Sequence, residues 1–156
     1  MIKTLQISEK EAWDLAFNAL VNNNTSEDNA KEVADALISA EFDGQAGHGL
    51  SRIPSYVEQL TAGKVKGTEA PSILSSKGSV IRVDAKNGFA YPAISLALKE
   101  ITTACKKFGI AAASITRSHH FGQAGRQESK LTSEPVGQAY SLSQTRPLSP
   151  LVKLVA

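Results

Sequence analysis

Apolar residues recur at helical spacing through the first sixty positions of this chain, and the pattern shortens after Pro71. Ser8, followed three residues later by Glu11, is a capping-box signature. Ala12, Leu15, Ala16, Ala19 and Leu20 then lie along one side of a predicted helix. The asparagine-rich stretch from Val21 to Thr25 predicts a turn. Ser26 is placed to cap a second helix with Ala30, Val33, Ala34, Leu37 and Ile38 on its inner face, and Gly44 sits where it should end. Pro54 suits the first turn of a third helix that begins near Leu50, carries Tyr56, Val57 and Leu60, and stops at Gly63.

Beyond Pro71 the run Val80-Ile81-Arg82-Val83-Asp84 predicts a short strand, and Lys86-Asn87-Gly88 a turn. Tyr91 to Phe108 predicts a long helix with Ile94, Leu98, Ile101 and Cys105 on one side, stopped by Gly109. Ile110 to Ile115 reads as a buried strand. Strand, helix and strand together predict a crossover unit, and ligands gather at the strand ends of such units. From Gln127 onward there is little clean period, with Pro135, Pro147 and Pro150 interrupting, and Leu151 to Ala156 is an apolar run with no evident partner to bury against. The expected organisation is a helical part over residues 1–70, a partial α/β part over 71–126 and an atypical tail over 127–156.

Composition narrows the function classes. The chain has 156 residues, 42% hydrophobic, with 17 basic and 15 acidic side chains and a formal charge of +2. That near balance, without a basic stripe interleaved with aromatics, gives no support to a nucleic-acid partner. No apolar stretch reaches bilayer-spanning length and the polar start is unlike a signal peptide, so the expectation is a cytoplasmic protein with no membrane partner. Cys105 stands alone, which excludes an internal disulfide and a cysteine-based zinc site.

The candidate chemistry lies in two glycine-rich segments that hold all three histidines: Gly47-His48-Gly49-Leu50-Ser51-Arg52 and Ser118-His119-His120-Phe121-Gly122. Imidazole exchanges protons near neutrality. A guanidinium offers a planar fork to a carboxylate. With a helix beginning near Leu50, Arg52 and Tyr56 share a face with His48 at its mouth. A bound 2-oxo acid needs its carboxylate held and its carbonyl oxygen protonated, roles that suit Arg52 and His48. A turn histidine beside a salt-bridged arginine satisfies the same pattern. His119 and His120 are adjacent, so their side chains point apart in an extended loop, and with no carboxylate between Ile110 and Gln127 no metal site is expected there. Gly44, Gly47 and Gly49 do not follow the dinucleotide-fold order, and neither a serine-hydrolase elbow nor a P-loop is present.

The stretch Ala40-Glu41-Phe42-Asp43-Gly44-Gln45-Ala46-Gly47-His48-Gly49-Leu50-Ser51-Arg52-Ile53-Pro54-Ser55-Tyr56 resembles the N-terminal signature of the type 2 malate/L-lactate dehydrogenase family. Thr116-Arg117-Ser118-His119-His120-Phe121-Gly122-Gln123-Ala124-Gly125 resembles its second signature, at matching spacing and with the Val83-Asp84 and Asn87-Gly88 landmarks between. The likeness covers about residues 5–126.

This resemblance implies an α+β fold, with a helical N-terminal part followed by a partial α/β cofactor domain that is not a Rossmann fold. It implies an NAD- or NADP-dependent oxidoreductase interconverting 2-hydroxy and 2-oxo acids, usually as a homodimer. By the motifs, His48 is the proton donor and acceptor, Arg52 holds the substrate carboxylate, and Tyr56 lines that pocket. His120 lies near substrate and nicotinamide, with Phe121 and Gly122 beside the cofactor. Gly47 stands where many members carry serine. After the second signature, Gln144-Thr145-Arg146-Pro147-Leu148 replaces the family's Asn-Thr-Pro-Ala type of segment, which an offset reading frame would restore. The tail is therefore expected to be a frameshifted remnant and the chain an N-terminal fragment. The alternative to catalysis is an inactive module for binding or subunit interaction.

Overall fold

The computed structural model describes residues 6–123 and the backbone of residues 140–144 and 151–155. Pro135, Pro147, Pro150, Ala124, Gly125 and the 145–148 portion of the frameshift comparison lie outside the described residues.

Local signals decide where the helices begin. α1 (Glu9–Val21) starts at Ser8, whose Oγ accepts from the Glu11 backbone N–H at 3.3 Å while the Glu11 carboxylate accepts from the Ser8 N–H at 2.8 Å. The two bonds satisfy two otherwise orphaned donors reciprocally. α2 (Glu27–Phe42) is capped by Ser26, and every residue expected on its inner face is buried. Gly44 adopts φ +71° just past its end, a conformation glycine reaches without a Cβ clash. Trp13 of α1 donates its indole N–H to Asp35 of α2 at 2.7 Å. Leu15, expected on the buried side of α1, is 61% exposed; that helix turns only the narrow row Ala12, Ala16 and Leu20 inward.

The third helix starts later than its periodicity suggests. Ala46–His48 and Leu50–Arg52 are single 3-10 turns, and α3 spans Ile53–Thr61. Pro54 has no N–H to give the Leu50 carbonyl, which instead accepts from Ile53 in the tighter i−3 pattern.

β1 (Ser72–Lys77) and β2 (Val80–Asp84) form an antiparallel hairpin with an irregular register between Ile73 and Ser75. α4 (Ala90–Phe108) carries the chain to β3 (Ala112–Thr116), which pairs parallel to β2 from Val80↔Ala112 to Asp84↔Thr116. Gly109 ends α4 at φ +79°. β4 (Tyr140–Gln144) and β5 (Leu151–Val155) complete a mixed sheet of order β1-β2-β3-β5-β4. The apolar run at 151–155, expected to lack a partner, pairs antiparallel with β3, from Ala112↔Val155 to Ile115↔Val152. An open edge on β3 accepts it, because an unpaired strand edge is itself a row of unsatisfied donors and acceptors.

One core cluster joins α1, α2, α3, α4 and the sheet through Leu20, Val33, Leu37, Tyr56, Ile81, Phe89, Ile94, Ile101 and Ile115. The fold is α+β, and among the described residues the sheet has one parallel strand pair, β2 with β3, and is not doubly wound.

Candidate active site

The crossover β2-α4-β3 brings the start of α4 and the exits of β2 and β3 to one end of the sheet. The ladder continues there beyond the strands. Ala85 N–H donates to Thr116 O at 3.0 Å, Asn87 N–H to Arg117 O at 2.7 Å, and His119 N–H to Gly88 O at 3.0 Å. Lys86, Asn87 and Arg117 all have positive φ, from +51° to +62°, a costly conformation for residues with a Cβ. Asp84 holds it in place. Its carboxylate, 4% exposed, accepts from both Arg117 Nε (2.9 Å) and Nη2 and from the Lys86 N–H (2.8 Å). The bonds from Arg117 hold the Asp84 carboxyl below its ordinary range.

The loop that leaves this clamp splits its two histidines. His119 turns inward, edge-on to Tyr56 (5.7 Å between centroids) and Phe89 (6.2 Å), with Nε2 against Gln59 Oε1. Burial, and then the neighbouring His120, push it down to about 4, so it is neutral at physiological pH. His120 is exposed. Its ring makes a 90° angle with that of His119, as expected for neighbours in an extended loop.

The first histidine segment is pinned from below by α2. Glu41 accepts the Leu50 N–H at 2.6 Å, and a Cβ on buried Gly49 would collide with that carboxyl. Ser51 Oγ donates to Ala46 O, and Arg52 Nε to Gly47 O, each at 2.6 Å. Arg52 is thereby folded back beside His48 with its terminal nitrogens outside that bond. His48 is half-buried, and its Nδ1 is buried with no hydrogen-bond partner among the described residues.

The two segments meet. The His48 and His120 ring centroids lie 6.4 Å apart, tilted by 32°. The His120 imidazole is held below its ordinary value by partial desolvation of its ring first, then by the charges of Arg52 and His48. That separation leaves room for an oxygen atom to bridge the rings wherever a nitrogen of each faces the gap, given hydrogen bonds of about 2.7–3.2 Å. Gly122 closes the approach: a Cβ there would lie 3.0 Å from the Tyr91 hydroxyl and 3.4 Å from His48 Cβ. The wall beside the imidazoles is therefore loop backbone.

Two of the sequence-predicted residues stand elsewhere. Tyr56 is 1% exposed and its hydroxyl meets that of Tyr91 at 3.2 Å, so its side chain packs in the core instead of lining the open face. Burial raises its phenol far above the ordinary range, which keeps it protonated. Phe121 is 9% exposed and belongs to the core cluster, leaving only its backbone to face a ligand. Tyr91, Glu41, Gln59 and the Asp84–Arg117 pair support the site without a local sequence signal, since each acts through a long-range contact. A cavity of about 240 Å³ lies elsewhere, between Ile7, Ala12, Ile38, Phe42 and Leu50. Ser8, Glu9 and Glu41 also line it, and none of His48, Arg52 and His120 does. Among the described residues no group of three or more His, Cys, Asp or Glu side chains is arranged to hold a metal ion, and no helix is long and apolar enough to cross a membrane.

A helical N-terminal part, a crossover end bearing two glycine-rich histidine segments and an arginine one turn from the first histidine define a class found among known proteins. Residues 7–148 match the family model described as malate/L-lactate dehydrogenase, and the chain belongs to that family. The match passes residue 126, where the motif likeness stops, and includes most of the segment expected to be atypical. The chain is 43% identical over 136 residues to a (2R)-3-sulfolactate dehydrogenase (NADP(+)) from Chromohalobacter salexigens, covering 86% of this chain and 40% of that protein. It is 36% identical over 118 residues to a delta(1)-pyrroline-2-carboxylate/delta(1)-piperideine-2-carboxylate reductase from Pseudomonas syringae pv. tomato, covering 76% of this chain and 34% of the relative. The solved delta1-piperideine-2-carboxylate reductase of that organism superposes with a TM-score of 0.80 and 28% identity, covering 97% of this chain and 48% of the other. The chain thus spans between a third and two-fifths of the length of these curated relatives.

Proposed function

We propose that the chain carries the acid-binding and proton-transfer groups of an NAD(P)-dependent oxidoreductase that interconverts 2-hydroxy and 2-oxo acids. The apposition of His48 and His120 at 6.4 Å, within the field of Arg52, carries this reading. The Arg52 guanidinium holds the carboxylate in a charge-assisted pair. His48 gives its proton to the substrate oxygen during reduction and takes it back during oxidation. His120, biased toward its neutral form, bonds the same oxygen and orients it. Tyr56 contributes from the core, through Tyr91, instead of touching the acid.

The residues fit a nicotinamide at this place. The Gly122 backbone beside His48 leaves room where a Cβ would intrude, and the His48 Nδ1 is buried without a hydrogen-bond partner among the described residues. His120 and the backbone of Phe121 and Gly122 would hold the ring. When bound, the cofactor supplies or accepts the hydride. NAD and NADP both suit this end of the molecule, and the NADP(+) in the printed name of the sulfolactate relative favours testing NADPH first.

The relatives' sizes and the exposure of His120 favour a second reading for this chain by itself: a binding or subunit-interaction module that completes a site with further protein, as in a homodimer. The two are separated by offering NADPH and NADH with pyruvate, oxaloacetate and cyclic 2-imino acids. Turnover that disappears in His48→Ala supports the enzyme. Acid binding without turnover supports the module, and neither turnover nor binding overturns the site itself.

A further inference from the structure

We propose that Tyr91 is a positioning residue: its phenolic oxygen sets the His120-Phe121-Gly122 backbone against His48. This rests on the reading of His48, Arg52 and His120 as one acid site. Tyr91 lies in the first turn of α4, 3% exposed. Its oxygen accepts the Gly122 N–H at 3.0 Å and sits 3.2 Å from the Tyr56 hydroxyl. Tyr56 is one helical turn beyond Arg52. One oxygen atom therefore ties together α3, whose entrance bears Arg52, the start of α4, and the loop that bears His120.

The tie matters because the strand ladder has run out. The His119 N–H reaches Gly88 O, and among the described residues the next bond donated by the loop backbone is that of Gly122 to Tyr91. The Gln123 side chain reaches exposed Asp43 at 2.5 Å. The loop approaches so closely because Gly122 has no Cβ, which would meet the Tyr91 oxygen and His48 Cβ. Topology explains why a residue of α4 does this. In a parallel crossover the helix starts at the end where the next strand finishes. Tyr91 acts here as a hydrogen-bond acceptor: its oxygen takes the Gly122 N–H bond beside the Tyr56 hydroxyl.

Tyr91→Phe deletes that acceptor and keeps the ring in the core. The 156-residue chain is examined by NMR of the histidine C2 protons, with oxalate as the acid probe. The groups that bear on His120 are Arg52 and His48 on the facing segment and His119 beside it. With the tie gone, His120 moves out of their field, its titration midpoint rises by about half a unit or more toward its ordinary value, and oxalate binds about tenfold more weakly. An unchanged midpoint and an unchanged oxalate affinity in a folded Tyr91→Phe protein overturn the proposal. Amide exchange in the unsubstituted chain needs no variant: Gly122 should exchange more slowly than His120, and equal or faster exchange overturns the proposal as well. Failure of the parent to bind oxalate would count against the acid site, while Gly122 exchange and the His120 midpoint would still judge Tyr91.

Discussion

His48, in the turn between α2 and α3, and His120, in the loop after β3, have ring centroids 6.4 Å apart. Nothing local in the chain joins them. They meet because α2 pins one segment through Glu41 and the crossover end pins the other through Asp84, Gly88 and Tyr91.

Arg52 should not be replaceable by lysine. Its Nε is committed to Gly47 O, and only a fork has nitrogens left over in a fixed plane for a carboxylate. In an active assay Arg52→Lys and Arg52→Ala should both raise KM for the acid, by about 10- to 100-fold, with a smaller change in kcat. His48→Ala should instead lower kcat by about a hundred- to ten-thousand-fold. Steady-state kinetics over a range of acid concentrations distinguish the two patterns.

Gly49 and Glu41 form a matched pair. A Cβ at position 49 would run into the Glu41 carboxyl and drive it off the Leu50 N–H. Gly49→Ala should destabilise the protein by about 1–2 kcal/mol in urea unfolding. Glu41→Gln, which keeps an acceptor oxygen, should cost less than Glu41→Ala.

Half-buried His119 makes stability depend on pH. Its folded pKa of about 4 lies below the ordinary unfolded value near 6.5, so the unfolded chain binds the proton first. Stability should fall as pH drops from about 6.5 toward 4, and His119→Gln should flatten that slope. Urea unfolding midpoints across this window are the measurement.

Asp84 adds a second acid-sensitive element at lower pH. Its folded pKa is depressed, so its stabilisation is present above the unfolded value near 4 and is lost as pH falls further. Asp84→Asn should lower the thermal midpoint at pH 7 and produce a smaller difference at pH 3. It should also free Lys86, Asn87 and Arg117 to leave their left-handed conformations, visible as faster amide exchange at His119.

The sequence announces what is local. Ser8 and Ser26 mark helix starts because a cap is satisfied within three residues, and Gly109 marks a stop because its φ is left-handed. The histidine segments are legible for a different reason, their extended likeness to one family. β1 escapes, since Ser72–Lys77 carries three serines and is largely exposed, giving no alternating apolar face. Leu15 and Tyr56 show that periodicity gives direction without depth: one is far more exposed than its row suggests, the other too buried to touch an acid. Tyr91 and the Asp84–Arg117 pair act across the fold, where no spacing rule reaches. The apolar run at 151–155 looks orphaned in sequence because its partner, β3, lies far back in the chain.

The most direct measurement is a titration of the 156-residue chain with oxalate, following the C2 protons of His48 and His120 together. Convergence on one carboxylate-bearing ligand predicts that both signals shift and saturate at the same oxalate concentration, and that Arg52→Ala abolishes both responses. Signals that saturate at different concentrations, that do not move, or that respond equally well without Arg52 would contradict it.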